Sequence, residues 1–245
     1  MTAEQATRPP ASSSGQPLIE LRDVSVRYQA AGQAALSAVD LTIGHGELVA
    51  LAGPARSGKS TLLSVVGLLL RPTTGSYLLN GFDTGALRDR ERTALRGRQI
   101  GCVFQRPRLL PSRSALDNVM LAVLYAGLPR QRQQSAALDA LDRVGLAARR
   151  NVLAGQLSAA EQQRVAVARA VAGDPSLLLC DDPTASLDES LATQIIGLLV
   201  SLHREGRTVL VVTRDQLAAA YSSRSLTMSA VSSPARPAAG RASRA

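Results

Sequence analysis

Gly53-Pro-Ala-Arg-Ser-Gly58-Lys59-Ser60-Thr61 is the stretch on which the fold turns. It follows Leu48-Val-Ala-Leu-Ala52, a short apolar run of strand type, and leads into Ser60-Thr-Leu-Leu-Ser-Val-Val-Gly-Leu-Leu-Leu70, which reads as a helix. The run fits G-x-x-x-x-G-K-[ST], a turn whose successive backbone N–H groups point into one concavity and bind phosphate oxygens. The helix that opens behind it turns the positive end of its dipole toward the same anion. Of 28 basic residues, 27 are arginine and Lys59 alone is lysine. A compact ammonium on a flexible stem suits that place, because it can reach over the loop to a β- or γ-phosphate. Ser60 then offers its hydroxyl to magnesium.

Working outward, the alternation of element types predicts an α/β fold. Ile19 to Tyr28 and Val39 to Ile43 read as strands joined by a turn, and further strands are expected at Ser76 to Leu79 and Ile100 to Phe104. A short charged helix around Asp89 to Arg96 lies between those two, and Gln105 ends the latter. From residue 112 to about 173 no strand candidate occurs. Three amphipathic stretches, Ala115 to Tyr125, Arg130 to Val144 and Ala159 to Val171, instead predict an inserted all-helical lobe. Strands resume at Leu177 to Cys180 and Thr208 to Thr213, with a helix at Ser190 to Glu205 between them, a helix from Asp215, and a weak strand near Leu226. Strands alternating with helices predict a parallel sheet covered on both faces, with ligands at the carboxyl ends of its strands. Residues 1 to 17 and 229 to 245, rich in Ala, Ser, Pro, Gly and Arg without hydrophobic periodicity, are expected to be disordered tails around a domain at 18–228.

Composition narrows the function. A 45% apolar fraction supports a globular chain, and 2% aromatics require a core of Leu, Val, Ile and Ala. The net charge of +9 would suit nucleic acid, yet the arginines are scattered among acids, as in Arg88-Asp-Arg-Glu-Arg92, and two phenylalanines with no tryptophan leave little for base stacking. No nucleic-acid partner is expected. Cys102 and Cys180 lack metal-ligand or C-x-x-C spacing and read as reduced core thiols. With no run of about 18 apolar residues and no apolar leader, the expected location is the cytoplasm.

Leu177-Leu-Leu-Cys-Asp181-Asp182 is an apolar strand ending in two acids. Beside a phosphate-binding loop, Asp181 would hold magnesium through water, and Asp182 could orient or deprotonate an attacking water. Together these motifs resemble the nucleotide-binding subunits of ABC transporters, over roughly residues 18 to 228. The resemblance implies a P-loop NTPase parallel-sheet core with N-terminal antiparallel strands, and ATP with Mg2+ as ligands. It assigns Gly53, Pro54, Ala55, Arg56, Ser57, Gly58, Lys59, Ser60 and Thr61 to ATP, Tyr28 to adenine stacking, and Ser60, Gln105 and Asp181 to the metal. Leu157-Ser158-Ala159-Ala160-Glu161-Gln-Gln-Arg matches the signature segment, in which Ser158 and Glu161 also read as a capping box, and Ser186-Leu187-Asp188 matches the D-loop. Arg71-Pro-Thr-Thr-Gly75, Ile100-Gly-Cys-Val-Phe-Gln105 and Leu109-Leu-Pro-Ser-Arg-Ser-Ala-Leu-Asp-Asn-Val119 are similar to the branch serving lipoprotein release and macrolide export.

The resemblance further implies a separate integral membrane permease, pairing as a homodimer or with another ATP-binding subunit, and a peripheral place on the cytoplasmic face of the inner membrane. Four positions depart from the family. Ala55-Arg56 replaces a small residue and a glycine, Ala159-Ala160 replaces the signature glycine pair, Asp182 replaces the catalytic glutamate, and Arg214 replaces the switch histidine. Asp182 is shorter by one methylene, about 1.5 Å, and arginine cannot accept a proton as histidine can. The catalytic set is then Asp182, Arg214 and Gln105, with turnover expected to be slow. A clamp without turnover, or a docking module without nucleotide, remains an alternative.

Overall fold

The computed structural model describes residues 16–28, 34–213 and 220–229. Two sheets share the work. Strands β1 (Ile19–Arg27), β2 (Ala34–Ile43), β4 (Thr74–Leu79) and β5 (Phe82–Asp83) form an antiparallel sheet in the order β2-β1-β4-β5. Strands β3 (Leu48–Ala52), β6 (Ile100–Phe104), β7 (Leu177–Asp181), β8 (Thr208–Val212) and β9 (Arg224–Thr227) form a parallel sheet in the order β6-β7-β8-β3-β9. The α-helices are α1 (Lys59–Val66), α2 (Asp89–Gln99), α3 (Ala115–Ala126), α4 (Arg130–Arg143), α5 (Ala159–Val171) and α6 (Glu189–Arg204), with single 3-10 turns at Ala147–Arg149 and Ala154–Gln156.

Strands β3, β6, β7 and β8 are near-continuous hydrophobic runs because both of their faces are covered, whereas β9 at the sheet edge is polar and partly exposed. Successive side chains of a strand point to opposite faces, and here they enter different cores. Leu178 and Cys180 of β7 with Val209 and Val211 of β8 join one apolar cluster. Leu177 and Leu179 with Leu210 and Val212 join the other, shared with α1 and the antiparallel sheet. The first cluster continues into Val119 and Val123 of α3, Leu141 of α4 and Val165 of α5. The all-helical lobe and the parallel sheet therefore share one apolar core on that face.

Several boundaries differ from those expected, each for a local reason. α1 stops at Val66 instead of running to Leu70, because Gly67 caps it through Leu63 O and Leu68 takes a left-handed φ of 56°. β2 starts at Ala34 rather than Val39, since Leu36 and Ala34 still pair with Val26 and Arg27 beyond irregularities in the register that apolar alternation does not reveal. β5 is two residues long and exposed, too short for a periodic signal. The anticipated helix from Asp215, residue Arg214 and most of both tails lie outside the described residues. Cys180 is fully buried and Cys102 half-buried, both are free thiols, and burial pushes the Cys102 thiol up to about 11.

Candidate functional site

Four parallel strands end at one place. Gly53 follows β3, Gln105 follows β6, Asp182 follows β7 and Thr213 follows β8. A cleft of about 300 Å³ lies there, lined by Ala55 to Thr61, Gln105, Asp181, Asp182, Val212 and Thr213, with Ala35 of β2 contributing from the other sheet. This is the carboxyl edge of an open α/β sheet, where the strand ends leave a crevice.

The loop before α1 is shaped by its own lysine. Lys59 is buried, and its ammonium donates to Gly53 O at 2.8 Å, Pro54 O at 2.6 Å and Ser57 Oγ at 3.1 Å. Those bonds hold the loop closed around the ammonium. Gly58 has φ of 92°, and a Cβ there would lie 2.4 Å from Ala35 O, so only glycine lets β2 approach the helix start. No side chain caps the N-terminus of α1. Arg56 is exposed and adopts a left-handed φ of 63°. A residue with a Cβ there costs about 1–2 kcal/mol relative to ordinary helical backbone.

The two acids differ in environment. Asp181 is half-buried, and burial with the neighbouring Asp182 charge raises its carboxyl above the usual range, although Arg108 and Lys59 pull the other way. Asp182 has a left-handed φ of 46°, donates its N–H to Val212 O at 2.7 Å, and accepts from Thr213 Oγ1 at 3.4 Å. Ser60, Gln105, Asp181 and Asp182 thus offer oxygen donors on the wall of one cleft. A carboxylate held in its charged form only at a cost, beside hydroxyl and amide oxygens, fits a hard oxygen-seeking cation such as magnesium. The fit rests on that donor set and on the raised carboxyl of Asp181.

Other anticipated residues lie apart. Tyr28 stands at the rim, 47% exposed, its hydroxyl 3.5 Å from Thr61 Oγ1, so its ring is open for stacking. Ser158, Ala159, Ala160 and Glu161 are not among the described residues that line the cleft. They form the start of α5: Ser158 Oγ accepts from Glu161 N–H at 3.3 Å, and Glu161 Oε2 accepts from Ser158 N–H at 2.9 Å. The backbone N–H and the hydroxyl of Ser158, both donating to Glu161 Oε2 at 2.9 Å, with Arg149 in an ion pair at 3.2 Å, hold the Glu161 carboxyl below the usual range. Ala159 is exposed while Ala160 is buried, so the Ala159 methyl faces outward. Asp188 caps α6, accepting from Leu191 N–H at 3.0 Å.

Sequence reasoning missed Ala35, Val212 and Thr213. Thr213 carried a signal, because it follows an apolar strand as Gln105 and Asp182 do. Ala35 carried none, since its place depends on how one sheet meets the other.

The sequence profile described as ABC transporter matches residues 36–185, a span holding the loop, Gln105, the start of α5 and both acids. The chain belongs to the ABC transporter family. Within this family it is 42% identical over 216 residues to the lipoprotein-releasing system ATP-binding protein LolD of Hyphomonas neptunium, a match covering 87% of this chain and 95% of that protein. It is 40% identical over 200 residues to the uncharacterized ABC transporter ATP-binding protein YknY of Bacillus subtilis, covering 81% and 87%. It is also 42% identical over 216 residues to the macrolide export ATP-binding/permease protein MacB 1/2 of Paracoccus denitrificans, where it spans 32% of that protein's length and 87% of its own. The MacB relatives are thus about three times longer than the matching region. Among solved structures, the dimeric post-hydrolysis state of the ATP-binding cassette MJ0796 bound to ADP and Pi superposes with a TM-score of 0.78 at 36% identity, covering 86% of this chain and 94% of that one. Among the described residues no helix of this ABC family member is long and apolar enough to cross a membrane.

Proposed function

We propose that this chain is the ATP-binding subunit of an ABC transporter of the MacB/LolD type, acting on an integral membrane permease carried by a separate chain, in export or lipoprotein-type translocation. The observation that carries the proposal is the convergence of Lys59, Ser60, Gln105, Asp181 and Asp182 from three strand ends on one cleft. The LolD and MacB relatives, whose names speak of lipoprotein release and macrolide export, support the transport class. The dimeric MJ0796 cassette supports pairing of two such subunits. On this reading the protein sits peripherally on the cytoplasmic face of the inner membrane.

The loop N–H groups and Lys59 bind the β- and γ-phosphates, while Tyr28 stacks on the adenine. Ser60, Gln105 and Asp181 hold magnesium, which when bound neutralises charge on the phosphates. Asp182 orients the attacking water, with Thr213 directing its carboxylate. The Asp182 side chain is one methylene short of the glutamate usual in the family, and Ala159 places a methyl where a second subunit closes over its nucleotide. Turnover is therefore slow, and Arg214, outside the described residues, replaces a proton acceptor with a permanent cation. The test is calorimetry with MgATP followed by phosphate release on the same purified protein, alone and with its copurified permease. Binding with turnover well below one per second is expected; turnover at tens per second would overturn the slow-enzyme reading, and absence of binding would overturn the nucleotide site.

A further inference from the structure

The backbone that carries Gln105 out of β6 is held by side chains from distant parts of the chain. Gln163 Nε2 donates to Phe104 O at 3.2 Å, and Ser186 Oγ donates to Gln105 O at 3.3 Å. The Arg169 guanidinium then spans two more carbonyls, donating to Pro107 O at 2.7 Å and Arg108 O at 3.0 Å. Gln163 and Arg169 both belong to α5, the helix that begins at Ser158. They reach the segment because α5 lies flush against β6: a Cβ on Gly101 would stand 2.2 Å from Ala170 O.

The residue types suit the task. Arg169 is half-buried and meets neutral carbonyls in both contacts, so its planar fork holds direction as well as distance. Lysine at that place could satisfy one carbonyl well and would leave the other to turn away. The chain bends sharply beyond Gln105, with Arg108 at a left-handed φ of 48° and its guanidinium 4.6 Å from the Phe104 ring centroid. The Arg108 contact with Phe104 favours that return locally, and the fork of Arg169 fixes the two carbonyls within it.

We propose that Arg169 is a positioning residue for Gln105: it pins the carbonyls of Pro107 and Arg108 so that Gln105 stays on the cleft wall with Ser60 and Asp181. Arg169 acts through the backbone and touches neither nucleotide nor metal. The proposal rests on the cleft being the MgATP site, and the test separates the two.

The full-length chain is compared with Arg169→Lys, Arg169→Met, Gln105→Ala and the Gln105→Ala/Arg169→Met double variant. In the nucleotide-free protein, hydrogen–deuterium exchange in peptides covering residues 105–111 rises about 10-fold in Arg169→Met and less in Arg169→Lys, while peptides covering residues 59–66 are unchanged. Calorimetry with ATP in magnesium and in EDTA gives the second readout. Arg169→Met loses most of the magnesium-dependent gain in affinity and keeps the affinity in EDTA. In the Gln105→Ala background the same substitution has no further effect, since a residue that acts through another is not additive with it. Unchanged exchange at 105–111, or an additive loss in the double variant, overturns the proposal. If Arg169→Met does not fold, Arg169→Lys carries the same comparison. If the wild type binds no MgATP, the nucleotide reading has failed, and the exchange result alone decides whether Arg169 holds the segment.

Discussion

Thr213 and Asp182 meet across the ends of neighbouring parallel strands: the threonine hydroxyl donates to the Asp182 carboxylate at 3.4 Å. The register of β7 on β8 pairs Asp181 with Val212, so the residues that follow each strand leave side by side. The Asp182 carboxylate is thereby held toward the sheet edge, and on the proposed function a longer side chain there would reach further into the cleft. Lengthening that side chain is the direct test. Asp182→Glu is expected to raise single-turnover phosphate release by about 10-fold or more, as part of the 10²- to 10⁴-fold that a fully positioned general base supplies. Rapid-quench measurement with excess protein checks it, and an unchanged or lower rate would assign the slowness elsewhere.

Lys59 holds the loop with the same ammonium that the proposed function assigns to phosphate. Lys59→Ala leaves Gly53 O, Pro54 O and Ser57 Oγ without that donor. Affinity for MgATP by calorimetry should fall by about 100-fold or more, and the nucleotide-free protein should lose about 1–2 kcal/mol in urea unfolding. Retained affinity would mean that the phosphates sit somewhere other than this loop.

Arg56 is a simpler case of backbone energetics. Its φ of 63° suits glycine, so Arg56→Gly removes a strain of about 1–2 kcal/mol and adds back part of it as unfolded-chain entropy. Urea unfolding should show a net gain of about 0.5–1 kcal/mol. A loss would show that the arginine side chain makes stabilising contacts outweighing its backbone.

Asp181 sets stability against function. Its carboxyl is raised by burial and by Asp182, so the folded nucleotide-free protein binds a proton more readily there than the unfolded chain does. Stability from this group is present below the ordinary carboxylate pKa and is lost as pH rises through the raised value. Asp181→Asn removes that loss. Its Tm at pH 7 should rise, and the dependence of stability on pH just above the ordinary carboxylate range should flatten. Magnesium-dependent ATP affinity should disappear at the same time. A Tm that falls would show that the charged carboxylate is better compensated than its surroundings indicate.

Much of this was legible along the chain because it depends on neighbours in sequence. The phosphate loop, the capping box of Ser158 and Glu161 and the helices of the lobe are short-range patterns, and the bounds of Ile100–Phe104 and Ala159–Val171 agree with those read from periodicity alone. Family membership followed from the order of such patterns. What the sequence alone could not place was whatever depends on how separate elements meet. That Ala35 closes one wall of the cleft, that Thr213 binds Asp182, and that Arg169 holds the carbonyls beyond Gln105 are contacts between residues 31 to 62 positions apart or between different sheets. Their partners are backbone carbonyls, hydroxyls and the space left by a missing side chain, groups that nearly every residue offers. Local pattern selects the element, but only packing of the two sheets and α5 decides which of those common groups come within hydrogen-bond distance.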